Sequence, residues 1–89
     1  YLEKKRLLAI YTEGNGPIFI GKVQQSPSDE TIVLRPSIAL SANDTARVFS
    51  KGYLTSQEFL EVINTKEGPH TEISSDQVIG FTDLTDLLS

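Results

Sequence analysis

Two short runs, Leu7-Leu8-Ala9-Ile10-Tyr11 and Ile18-Phe19-Ile20-Gly21-Lys22-Val23, constrain this chain more than any other feature. Each is rich in strand formers and lies beside a turn signal, yet neither alternates apolar with polar residues. In a strand, successive side chains point to opposite faces, so Leu7, Ala9 and Tyr11 share one face while Leu8 and Ile10 share the other. Both faces therefore need cover. A curling sheet, a helix or another subunit could provide it.

The connections read as a meander. Glu13-Gly14-Asn15-Gly16-Pro17 separates the first two runs and predicts a hairpin. Ser26-Pro27-Ser28-Asp29-Glu30 is a second break, leading into Thr31-Ile32-Val33-Leu34-Arg35. Pro36 then limits this third strand or places it at an edge, because proline donates no ladder hydrogen bond. Gly21 marks either a bulge or tight bend, or a place where an aromatic from a neighbouring strand needs room.

From Ala39 the texture changes. Thr55-Ser56-Gln57-Glu58 has capping-box spacing, and Phe59, Leu60, Val62 and Ile63 follow as one helical stripe. Gly68-Pro69 is a stop signal, so a helix over about 56–66 is expected, packing through those four side chains. Ser41 to Lys51 fits either a short helix or a strand around Arg47-Val48-Phe49. Residues 71–83 read as one or two strands with Val78, Ile79 and Phe81 buried. The predicted fold class is α+β: a strongly curved antiparallel sheet or small β-barrel of about five strands with one amphipathic helix.

An 89-residue chain makes one small domain. With no methionine and a start at Tyr1, it is expected to be a fragment or processed part of a longer chain. The absence of cysteine removes disulfides and thiolate chemistry. No apolar stretch approaches the roughly 20 residues of a membrane span, so a soluble, cytoplasmic domain is expected.

Net charge is −4, spread as +2 over residues 1–22, −1 over 23–66 and −5 over 67–89. An acidic whole argues against broad, salt-driven nucleic-acid binding. Lys4, Lys5, Arg6 and Lys22 nevertheless leave a local basic rim.

Motifs for chemistry are sparse. Phe49 to Ile63 imitates the second half of an EF-hand, but aligning Gly52 with the turn glycine puts Arg47, Phe49 and Lys51 at oxygen-ligand positions. Calcium is not expected, nor is any other metal or cofactor. Asn43-Asp44-Thr45 fits a glycosylation sequon and equally the start of a helical turn. His70 is the single histidine, so a two-histidine metal site is impossible and a catalytic triad would have to include it. No G-x-S-x-G elbow accompanies it. The pairs Glu58/Glu61 and Asp83/Asp86 read as solvated charges, and no catalytic residue is nominated.

With the strands placed, Lys5 to Leu34 resembles the first half of an Sm-like (LSm) domain. The parallel runs through a strand, a glycine-bearing turn, Phe19-Ile20-Gly21-Lys22-Val23, a polar turn containing Asp29, and a third apolar strand. Glu72 to Phe81 resembles that family's closing motif, and together these cover about half the chain. The resemblance implies a bent five-stranded barrel whose edge strands join neighbours into a ring, in many members binding RNA. Thr31 stands where the family usually has a base-contacting asparagine, and Ser74 and Ser75 where it has arginine and glycine.

The expected function is a non-enzymatic protein-interaction module that self-associates through sheet edges. The alternative is an Sm-like nucleic-acid binder using Lys4, Lys5, Arg6, Lys22 and Arg35 for phosphates and Tyr11, Phe19 or Tyr53 for stacking. A small enzyme using His70 or the acidic tail is the third reading.

Overall fold

The computed structural model describes residues 5–14, 16–25, 28–65 and 68–88. Its centre is the expected meander: β1 (Leu7–Thr12), β2 (Ile18–Gln24) and β3 (Thr31–Leu40) pair antiparallel in sequence order. The β1–β2 turn contains Gly14 at φ 66, a left-handed conformation that suits glycine. β4 (Thr71–Ser74) adds to the outside of β3, and β5 (Val78–Asp83) to the outside of β1. The resulting sheet has the order β4-β3-β2-β1-β5 and is not closed.

The two outermost strands are consecutive in the chain, joined only by a 3₁₀ turn, Ser75–Gln77. Four residue steps from Ser74 to Val78 reach at most about 14 Å. The outer strands of a flat five-stranded sheet would lie about 19 Å apart. The sheet must therefore curl to bring its edges together at that end.

Curling and helices each cover one face of β1. Leu8 and Ile10 join Val23, Leu34 and Ile73 in an inner core, with Phe19, Ile32 and Val78 against it. Leu7 and Ala9 join Ile18, Ile20 and Leu40 in a second core beneath the helices, contacted by Val48, Leu54, Phe59, Ile63 and Leu84. The two-faced apolar runs are thus satisfied within one chain.

Proline does not end β3. The strand continues to Leu40 through Pro36, whose peptide bond to Arg35 is cis. The β2–β3 register jumps from Gly21↔Ser37 to Val23↔Leu34, so Arg35 and Pro36 together face Lys22 across a bulge. On the other side, β4 pairs only as far as Leu34↔Thr71. Pro36 consequently sits where neither neighbour asks for its missing N–H, which is how a central strand tolerates it. Gly21 lies at the same bulge. A Cβ there would come 2.6 Å from the Pro36 carbonyl oxygen and 2.9 Å from the Cβ atoms of Leu34 and Ser37, so the crowding is by the facing strand itself, with no aromatic involved.

The segment that sequence left open, Ser41 to Lys51, is helical. A 3₁₀ turn (Ala42–Asp44) runs into α1 (Thr45–Val48), followed by α2 (Lys51–Leu54) and α3 (Gln57–Ile63). The helix expected over 56–66 is therefore shorter at its C-terminal end, closed by Asn64, and Lys66 lies outside the described residues. Its cap is Ser56, whose hydroxyl accepts the Phe59 N–H at 3.2 Å. Thr55 instead closes α2, donating its hydroxyl to the Lys51 carbonyl, so the capping box does not form and Glu58 is simply an acid in the first turn. Phe59 and Ile63 are buried and Leu60 packs against the same core, whereas Val62 is half-buried and outside that cluster. The hydrophobic stripe was read one residue too wide.

Candidate functional site

β5 departs furthest from expectation. Val78 packs half-buried against the inner core, but Ile79 is 66% and Phe81 53% exposed. Phe81 lies directly opposite Ile10 of β1, on the face of the inner core, and has no strand on its other side. A period-2 pattern at a sheet edge is half-covered whichever way it points, which is why two residues expected inside lie at the rim. β4 is the other edge, so both outer strands carry backbone groups unpaired by any other strand of the sheet.

The end of β5 is pinned to β1. Arg6 donates twice to Asp83 Oδ2, from Nε at 2.9 Å and from a terminal guanidinium nitrogen at 2.7 Å. The Thr85 N–H donates to Asp83 Oδ1 at 2.9 Å, and the Thr85 hydroxyl accepts the Leu7 N–H at 3.0 Å. This starts a final 3₁₀ turn (Thr85–Leu88) and sets buried Leu84 and partly buried Leu87 into the helix-side core.

Hydrogen bonds from Thr85, hydroxyl and then backbone, followed by Arg6, hold the Asp83 carboxyl below its ordinary range. A depressed folded pKa means that the contribution is present above the unfolded value of about 3.9 and is lost as pH falls through the folded value. Because Arg6 and Asp83 are both exposed, less than about 1 kcal/mol is expected from the pair. Asp83→Asn should lower urea-measured stability slightly at pH 7 and by less at pH 2. A loss of equal size at both pH values would refute the charge origin.

A second feature lies where β1 ends, β2 begins and β4 passes: an open groove of about 290 Å³. Buried Ile73 and half-buried Phe19 form its floor. Exposed Pro17, Glu13 and Glu72 stand around it, with Thr12 and Gln77 completing the wall. The groove is held by the Glu13 N–H donating to the Gln77 carbonyl at 3.1 Å.

The residues nominated for nucleic acid are not gathered into one surface. Lys5 and Arg6 lie beside the end of β2: the Lys5 N–H donates to the Val23 carbonyl, and Lys22 pairs with Leu7. Lys4 lies outside the described residues. Arg35 is exposed at the bulge. Tyr11, on the opposite end of β1, packs against the helix-side core with its hydroxyl 2.9 Å from Thr82 Oγ1. Tyr53 lies on α2 against the same core, with Arg47 4.4 Å over its ring and Phe59 at 5.3 Å. Burial pushes the Tyr53 phenol up, opposed by Arg47. Phe19 is in the groove.

Arg47, Phe49 and Lys51, the residues at the EF-hand ligand positions, fall in α1, at its end and in α2. His70 is exposed in the α3–β4 connection and Asn43 is exposed in the first 3₁₀ turn. No group of three or more potential metal ligands occurs among the described residues. No helix among them is long and apolar enough to cross a membrane.

Sequence reading missed the groove, whose lining comes from residues as far apart as Thr12 and Gln77. The Arg6–Asp83 pair spans 77 positions and was equally invisible. Comparison with protein-family models, with curated proteins and with solved structures returns no match.

Proposed function

We propose that this domain is a non-enzymatic assembly module that self-associates through its sheet edges, β5 of one copy adding to β4 of the next. The observation that carries this reading is an edge strand exposing Ile79 and Phe81, two of the three large hydrophobic side chains exposed among the described residues. Backbone pairing would supply the hydrogen bonds and burial of these two side chains the driving force. The two edges are different surfaces, so the contact is head-to-tail and leads to a ring if the rotation closes. The Sm-like resemblance of the sequence, which implies edge strands joining neighbours into a ring, is in keeping with this reading.

Light scattering on a sizing column provides the test. The wild type should elute well above its 9.8 kDa chain mass, at low and high salt alike. The double substitution Ile79→Lys with Phe81→Lys should give a folded monomer, because both positions are exposed and two charges at an edge block strand addition. A wild type that remains monomeric at about 100 μM, weaker than most specific assemblies, would sink the proposal.

A further inference from the structure

We infer that the groove floored by Phe19 and Ile73 receives a lysine or arginine side chain from an extended segment of a partner protein. The argument rests on the groove's shape and on what lines it. At about 290 Å³ it is at the small end for ligand sites, fitting one long side chain rather than a cofactor. Its floor is an aromatic ring and a branched aliphatic side chain, suited to the apolar stem of a long cationic residue.

Glu13 and Glu72 add two carboxylates, and among the described residues no Lys, Arg or His lines the groove. Phosphates and carboxylates would meet only repulsion there, which sets a basic peptide above a nucleic acid as occupant. Neither glutamate side chain is held by a hydrogen bond or ion pair among the described residues, so neither has to leave a resident partner. A guanidinium or ammonium group in the groove would meet the negative charge that the two glutamates bring to its lining, with the half-buried Phe19 ring offering a further cation–π contact. All its walls come from one copy, so the groove exists in the monomer, and Glu72 and Ile73 also belong to β4, the edge proposed to pair in assembly.

The test uses the whole chain and the tripeptide acetyl-Leu-Arg-Leu-amide, with acetyl-Leu-Gln-Leu-amide as comparator, followed by backbone amide chemical shifts at low salt. Arginine peptide is expected to shift residues 12–13, 17–19, 72–73 and 77, saturably, and the glutamine peptide to leave them unmoved. The double variant Glu13→Gln with Glu72→Gln should weaken binding by about tenfold, as should raised salt. Both positions are exposed, so its spectrum elsewhere should match the wild type and report intact folding. Absence of shifts, shifts mapping outside the groove, or equal response to the glutamine peptide or the double variant would each overturn the inference.

Discussion

Phe59→Ala is expected to destabilise the domain by about 3–5 kcal/mol, the range for removing a fully buried aromatic. Phe59 is 0% exposed, and it ties three parts of the helix-side core together. Its backbone N–H takes the Ser56 cap, its ring meets Tyr53 at 5.3 Å, and its side chain joins the cluster that includes Leu7 and Ile20 of the sheet. A small domain has about 5–15 kcal/mol in total, so this one substitution would remove a large share. Urea unfolding monitored by circular dichroism measures it. A cost below about 1 kcal/mol, the typical scale of surface changes and slight repacking, would mean that α3 does not cover the sheet through this residue.

Gly21→Ala should cost about 3 kcal/mol, in the upper part of the overpacking range. The added methyl group would meet backbone, the Pro36 carbonyl oxygen at 2.6 Å, and two Cβ atoms of the same strand at 2.9 Å. None of these can rotate away as the tip of a long side chain could. Relief requires β2 and β3 to separate at the bulge, which disturbs the inner core through the adjoining Val23–Leu34 pair. The same urea measurement applies. A variant within about 0.5 kcal/mol of the wild type, the size of an ordinary surface substitution, would show that the two backbones do not approach this closely.

These two positions also show what could be read in the chain before any coordinates. Phe59, Leu60, Val62 and Ile63 read as one helical stripe, and all but Val62 lie on the helix-side core, because a 3.6-residue period survives an error of one residue in the helix cap. Gly21 in the sequence fits either a bulge or room for an aromatic from a neighbouring strand. It lies at a bulge, and what crowds it is the backbone of the proline-bearing stretch of β3, where Pro36 was expected to limit the strand or place it at an edge. Whether proline ends a strand depends on where its neighbours need a donor, and that is a property of pairing between distant segments.

The candidate site was less legible still. Ile79 and Phe81 have the composition of interior strand residues, and only the position of β5 at the sheet edge exposes them. The groove combines Glu13 with Glu72 and Phe19 with Ile73, pairs that no local pattern connects.

Local chemistry by itself determined the meander, the turn at Gly14, the amphipathic α3 and the demand of β1 for cover on both faces, since each depends on neighbouring residues only. Tertiary structure decided which cover each face received: curling on one side, three short helices and Leu84 on the other. It also decided that β4 and β5 are edges. The physical reason is that a strand's hydrogen-bond partners and the covering of its faces come from segments remote in sequence, so its own residues specify the need but not the neighbour that meets it.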